Sequence, residues 1–311
     1  MKIRSASLLD LGRIEQIYRE ADARFSEVPP PARLWSLVSQ TLSALLPLSQ
    51  ETLLYVAEEQ GELLGFVQAS GTPLSLTLPT GKISTLQILN LCVADPADEG
   101  DVAPQLIEHL TEEAGKKGIQ RLFVRLPPDD PLTPVFRMEG FRQYATESVL
   151  YADEHAPAST ATAIGARPAR GRDTRQLYHL YRKVTPLGVA QLEAPTFKDW
   201  KALRDGPGQQ FVLDRVELVA WARIQRSSSE RPNTLAFMAL PDPEITQVIA
   251  DHALVTAGPG AAWCSLRHYD SLLIDALRAR GFTTLLTQAL LVREATVRVP
   301  VQEKGLVPSF G

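Results

Sequence analysis

Two segments of the chain repeat each other closely enough to indicate a duplicated domain. One begins IRSASLLDLGRIEQIYRE at Ile3, and the other begins ARPARGRDTRQLYHLYRK at Ala166. A single constant offset aligns their charged, apolar and aromatic positions, and the repeat period is far too long for a solenoid unit. The aligned pairs are Arg4 with Arg167, Ala6 with Ala169, Asp10 with Asp173, Ile14 with Leu177, Ile17 with Leu180, Tyr18 with Tyr181 and Arg19 with Arg182.

The ends of the two halves match as well, since GFRQYATESVLY and GFTTLLTQALLV align from their Gly-Phe pairs onward. A chain of 311 residues is long enough for about two domains, and we predict them at 1–151 and 164–299. The small, polar residues 152–163 are typical of a linker, and residues 300–311 form a tail. Duplication predicts that the halves pack through their sheet edges into one pseudo-symmetric body.

Hydrophobic periodicity predicts the same order of strands and helices in both halves. In the first half Asp10 is placed to cap a helix, and a second helix is predicted over about Ala32–Leu45. Gly65 interrupts a strand, which indicates a bulge or a close backbone approach. An apolar strand at 85–93 precedes a helix at about Val102–Lys117. The pattern predicts an α/β class with mixed sheets.

Composition excludes several classes of function. The formal net charge of −4 does not favour nucleic acid or an anionic membrane. No stretch reaches about 18 uninterrupted apolar residues, so we expect a soluble, cytoplasmic protein. Cys92 and Cys264 lie in apolar segments outside any CxxC or Cys/His spacing, which predicts buried, reduced thiols and no zinc site. The basic residues around Arg167–Lys183 predict a solvated face or an interdomain contact.

Four motifs, with the order of elements, resemble the GNAT acetyltransferase superfamily over most of both halves. They are the IR-A---D---I--IY opening, the hairpin YVAEEQGELLGFVQ, the segment LCVADPADEGDVAPQLIEHL and FRMEGF before the last strand. The resemblance implies two tandem GNAT-like acyl-CoA N-acyltransferase domains, each an α+β mixed sheet that parts to hold acyl-CoA. It also implies a bulged fourth strand whose N–H groups meet the thioester oxygen, and a pyrophosphate loop of R/Q-x-x-G-x-G/A type.

Carried over to the first half, the resemblance implies acetyl-CoA against the fourth strand and the loop after it. Glycines and a helix N-terminus suit such a loop because they expose N–H groups to phosphate. Here Asp98 replaces the Arg or Gln and Asp101 replaces a glycine. Each carboxylate opposes a nearby phosphate by roughly 1–3 kcal/mol, and helix capping is the alternative role for these acids. The candidate cofactor-binding residues are Leu91, Cys92, Val93, Gly100, Asp101, Val102 and Ala103.

The second half departs further from the family pattern. Its loop, Pro241–Thr246, has no glycine before the helix, and its prolines lack N–H donors. The tyrosine that many members use as a general acid falls at Phe136 and Leu277, which donate no proton. His109 and His252 are predicted on helix surfaces, and no residue is assigned as general base.

Two functions follow from these patterns. One is acetyl transfer from acetyl-CoA to an amine, on a small molecule or a protein, by the first half. The alternative is a non-catalytic tandem GNAT-like module that binds a ligand or protein in the old cleft. The residues leave the acceptor and the oligomeric state open.

Overall fold

The structure is a computed structural model, and it describes residues 1–24, 52–71, 85–95, 98–155, 165–226 and 232–295. The helix predicted at Ala32–Leu45, most of the linker and the C-terminal tail lie outside the described residues.

The first half follows the predicted order of elements. Its long helix begins at Glu99 rather than Val102, so Pro104 lies in the second helical turn and not in the first. The strands are β1 (Lys2–Ser5), β2 (Thr52–Glu59), β3 (Glu62–Gly71), β4 (Thr85–Val93), β5 (Arg121–Leu126) and β6 (Arg142–Ala152), and the helices are α1 (Leu11–Arg24), α2 (Glu99–Lys116) and α3 (Leu132–Met138).

The second half repeats this order and adds two short helices that the periodicity did not predict. The second of them starts at Thr196, whose hydroxyl accepts a hydrogen bond from the Asp199 backbone N–H. The strands are β7 (Ala166–Pro168), β8 (Gln209–Asp214), β9 (Leu218–Gln225), β10 (Asn233–Ala239), β11 (Ala262–Arg267) and β12 (Thr283–Glu294), and the helices are α4 (Thr174–Val184), α5 (Leu187–Glu193), α6 (Phe197–Arg204), α7 (Pro243–Ala257) and α8 (Ser271–Arg278).

The halves are joined by exchange of their last strands. All the described strands form one twelve-stranded sheet in the order β1-β2-β3-β4-β5-β12-β6-β11-β10-β9-β8-β7. Strand β12 of the second half lies between β5 and β6, while β6 of the first half lies between β12 and β11. The halves thus form one continuous sheet, but they join by exchanging strands rather than by the predicted packing of two sheet edges.

Both halves place their C-terminal helices on the same face of this sheet. On β12, Ala289 belongs to the core under α2 and α3, and its partner on β6 is Thr146. On β6, Leu150 belongs to the core under α7 and α8. Since Thr146 and Leu150 are four residues apart on one strand, their side chains share a face. The opposite face carries α1 in the first half and α4 to α6 in the second, over cores that include Phe66 and Trp200.

The aligned Arg–Asp pairs of the sequence repeat are two equivalent ion pairs. Both terminal nitrogens of Arg4 donate hydrogen bonds to the Asp10 carboxylate, at 2.7 and 2.8 Å. Arg167 grips Asp173 in the same way, at 2.7 and 3.0 Å. The Arg4 hydrogen bonds hold the pKa of the nearly buried Asp10 carboxyl well below its usual range. The bridge ties the first strand of each half to the start of its first helix.

We expect Asp10→Asn to lower the free energy of unfolding by about 1–3 kcal/mol near neutral pH. Because the folded-state pKa is lowered, the difference from the unmodified protein should shrink as pH falls below about 4. Chemical denaturation at several pH values measures it. Glu15→Gln is the control, since the Arg19–Glu15 pair is exposed and such pairs contribute little. A loss of stability that is the same at every pH would contradict the assigned ion pair.

Cutting the chain between residues 155 and 165 at an introduced protease site should leave the fragments associated. Each fragment keeps one strand paired on both sides with strands of the other. Native size-exclusion chromatography should therefore give one peak that separates only in denaturant. Two independent native peaks would contradict the strand exchange.

Candidate active site

The first half contains a cleft where two neighbouring strands part. The parallel pairing of β4 with β5 ends at Gln87 opposite Phe123, although both strands continue beyond that point. Just past the parting, β4 carries a bulge, because Gln68 pairs with Asn90 and the next residue of β3 pairs with Ile88. Leu89 is the extra residue. A bulge turns peptide groups away from the regular ladder and re-aims them.

Gly65 lets β3 approach the end of β4 closely. A Cβ atom at this position would lie 2.7 Å from the Cys92 carbonyl oxygen and 3.3 Å from Val102 Cγ1. The close backbone approach predicted at Gly65 is therefore observed. The pairing of β2 with β3 also shifts register next to Gly65, so the bulge predicted as the alternative is present as well.

The candidate cofactor-binding residues lie on two sides of this junction. Val93, Val102 and Ala103 are buried in the core under α2, with Leu91 packed against it. Cys92 packs on the opposite face, against the core under α1. Gly100 and Asp101 are exposed at the start of α2. The end of β4 and the start of α2 are thus adjacent. Of the candidate residues, only Gly100 and Asp101 are exposed to solvent.

The start of α2 suits phosphate poorly. Asp95, Asp98 and Asp101 are exposed there, and Asp98, at the cap position, makes no side-chain capping hydrogen bond. No lysine or arginine occurs between Asp95 and Ala103. A Cβ on Gly100 would meet no atom within 4 Å, so the backbone is open to solvent. This acidic loop therefore does not fit a pyrophosphate.

The second half has parted strands without the bulge. The pairing of β10 with β11 ends at Thr234 opposite Trp263, yet the register between β10 and β9 is unbroken. At the start of α7 the Asp242 carboxylate accepts a hydrogen bond from the Ile245 N–H, and Pro243 occupies the first turn. This helix start is already capped, so it has little capacity for an anion.

Comparison with solved structures identifies the fold. The chain is similar to a GCN5-related N-acetyltransferase from Sphaerobacter thermophilus, with 13% identity, a TM-score of 0.55, and 94% of this chain and 95% of that one covered. It is also similar to a tandem GNAT protein from the clavulanic acid biosynthesis pathway, with 13% identity, a TM-score of 0.53 and coverage of 95% and 98%. The chain has a tandem GNAT fold.

A third similar structure is a glucosamine N-acetyltransferase region within a fungal multi-domain GH3 beta-N-acetylglucosaminidase. It has 16% identity and a TM-score of 0.61, and the alignment covers 94% of this chain but 38% of that one. No protein family and no curated protein matches the sequence. At these identities the similarity establishes the fold of both GNAT halves, and the site must be judged on its own residues.

On the face that carries α1, a polar network crosses the centre of the tandem GNAT sheet. The buried Glu147 on β6 lies 2.9 Å from Arg125 Nε and accepts a hydrogen bond from Arg267. Arg267 also donates to Glu193 at 2.7 Å, and so does the Tyr144 hydroxyl, at 2.7 Å. The network therefore links both GNAT halves. Sequence reasoning missed it because its members meet only through the strand exchange.

Two members of the network, Arg267 and Tyr144, have raised pKa values. Burial disfavours the charged form of Arg267, but Glu193 and Glu147 outweigh it and raise the pKa of the guanidinium. Burial, and then the Glu193 charge, raise the pKa of Tyr144, so this phenol stays protonated. Tyr144 also packs edge-on against Phe123, with ring centroids 5.8 Å apart, at the point where the strands part.

The other predicted polar residues lie away from the cleft or have structural partners. His109 packs edge-on against Tyr55, and His252 packs in the same way against Phe211, so both are partly buried rather than simply on the helix surface. Glu58, beside the turn of the first hairpin, pairs with Arg4 at 2.7 Å. Phe136 and Leu277, at the family's tyrosine position, are fully buried.

The cysteines are unbridged, with Cys264 buried and Cys92 partly buried. Within the ranges that the structure describes, no group of three or more His, Cys, Asp or Glu residues is placed to hold a metal ion. No helix in those ranges is long and apolar enough to cross a membrane.

Gly65→Ala should destabilise the protein by about 1–3 kcal/mol, because the new methyl group would overlap the Cys92 carbonyl. Gly100→Ala is the matched control, since its methyl group has open space. Chemical denaturation compares the two. Equal effects would mean that the close approach of β3 to β4 is not tight.

Proposed function

We propose that the first GNAT half is an acyl-CoA-dependent N-acyltransferase domain that moves an acetyl group from acetyl-CoA to an amine. The observation that carries this proposal is the bulge at Leu89, beside the point where β4 parts from β5. The second half has the parting without the bulge. The feature that re-aims backbone donors therefore occurs in the half whose cleft also retains Gly65.

The chain's own residues supply positioning and backbone polarisation. Peptide N–H groups around Leu89 would hold the thioester carbonyl oxygen and the negative charge that develops on it. The parted strands would hold the acyl carbon in reach of an amine, which converts attack into an intramolecular step. Because buried Phe136 replaces the family's tyrosine, solvent would protonate the departing thiolate.

The diphosphate of acetyl-CoA would meet fewer hydrogen-bond donors here than in the family's loop. Asp98 and Asp101 stand at positions where a donor and a glycine are expected, and both are exposed. We therefore expect a weak dissociation constant for acetyl-CoA, with most of the contact on the pantetheine side.

The alternative is a non-catalytic tandem module that binds a ligand or protein in the first cleft. The acidic start of α2 favours it, because those carboxylates repel the phosphates of CoA. In the second half, Asp242 caps the start of α7, which disfavours phosphate binding and therefore catalysis there. The two functions differ in whether acetyl-CoA binds at all.

Calorimetric titration with acetyl-CoA tests the proposal. We expect measurable binding by the unmodified protein, and at least tenfold tighter binding by the Asp98→Arg/Asp101→Gly variant, because two repulsive carboxylates are removed. Glu108→Arg/Glu112→Gln is the control, since it changes the net charge equally on the exposed side of the same helix.

Each result separates the alternatives. A gain confined to the first variant supports phosphate binding at the start of α2, and an equal gain in both variants would indicate only a long-range charge effect. If the unmodified protein binds no acetyl-CoA and the first variant does, the cleft has lost its cofactor, and the binding-module alternative holds.

A further inference from the structure

An arginine of β5 lies just beyond the point where this strand parts from β4. The parallel pairing ends at Gln87 opposite Phe123, and Leu89 and Arg125 each follow two residues further along their own strand. The Arg125 side chain lies on the face of α1, where Gln87 Oε1 accepts a hydrogen bond from its Nη1 at 3.1 Å. Arg125 therefore stands beside the place where an acyl group and an attacking amine would meet.

Two contacts hold the Arg125 guanidinium without using all of it. Its Nε lies 2.9 Å from Glu147, its Nη1 donates a hydrogen bond to Gln87, and among the described residues Nη2 donates no hydrogen bond. A guanidinium carries five N–H donors in a planar fork, so three remain. The side chain is 42% exposed. The group is thus oriented in advance and still accessible to a ligand.

The charge around Arg125 is only partly balanced by its own neighbours. Glu147, 5% exposed, divides its carboxylate between Arg125 and Arg267. The second carboxylate of the network, Glu193, contacts Arg267 instead. At the other end of the cleft the start of α2 carries exposed acids. An anionic substrate group is therefore favoured at the Arg125 end and disfavoured at the α2 end.

We propose that Arg125 binds a carboxylate of the substrate, an inference that rests on the acyltransferase function proposed above. Arginine suits this role because its fork matches the two oxygens of a carboxylate. The carboxylate has two chemical sources. It is the distal group of a dicarboxylic acyl thioester, or the carboxylate of an amino-acid acceptor. Glu147 is the positioning residue that keeps the fork turned toward the cleft.

Two comparisons distinguish the sources. Calorimetry with succinyl-CoA and acetyl-CoA tests the acyl group. Initial rates with acetyl-CoA and a panel of amino acids, each against its amide, test the acceptor. We expect at least a tenfold preference for the carboxylate form in one comparison, loss of that preference in Arg125→Gln, and partial retention in Arg125→Lys, which keeps the charge without the fork.

Arg142→Gln is the matched control, because this arginine is 59% exposed and contacts Glu294 at 3.8 Å, away from the network. It should retain the preference. Circular dichroism and the unfolding midpoint establish that each variant is folded. No preference in either comparison, or a preference that survives in Arg125→Gln, overturns the proposal while the acyltransferase function stands.

A direct binding measurement covers the case in which no acyl-CoA binds and the proposed function fails. Succinate and succinamide are then titrated against the unmodified protein and Arg125→Gln by ligand-observed NMR. Succinate binding that Arg125→Gln abolishes retains Arg125 as a carboxylate site. Equal binding of both probes, or none, removes the proposal as well.

Discussion

The pairing of β6 with β12 is the contact on which the remaining architecture depends. It runs antiparallel along most of both strands and places Glu147 directly opposite Gln288, two positions that the sequence repeat also aligns. The pseudo-twofold axis passes between them. Each half completes its sheet with a strand of the other half. One strand of each cleft, β5 or β11, is therefore paired on its other side with a strand of the other half.

That shared centre explains why a second half without a phosphate-binding loop is still built into the molecule. Arg267 of the second half, which also pairs with Glu193, donates a hydrogen bond to Glu147, and the same Glu147 carboxylate pairs with Arg125 of the first half. The second GNAT unit therefore contributes to the surroundings of Arg125 in the first. The unbroken register between β9 and β10 leaves this network in place.

Local patterns predicted most of the elements, and contacts between distant residues account for what was missed. The repeat of Arg4 and Asp10 in Arg167 and Asp173 was visible in sequence, because the spacing is short and the ion pair is local. The last strands look alike in both halves, so periodicity could not indicate that they exchange places. Glu147 and Arg267 are 120 residues apart, and only the strand register brings them together.

Some errors were local and had readable signals. The Thr196–Asp199 spacing is a helix-start signal that was present in the sequence but unused. The helix after β4 was predicted to begin at about Val102, whereas α2 begins at Glu99 and contains Pro104 in its second turn.

The central position of β12 also has a consequence for folding during synthesis. Strand β12 is the last described strand in the chain, and β5 and β6 of the first half both pair with it. A ribosome synthesises the first half well before these residues emerge. During that interval β5 and β6 have unpaired edges, which are the surfaces most prone to wrong pairing. The exchange of strands thus makes β5 and β6 of the first half dependent on a strand that is synthesised much later.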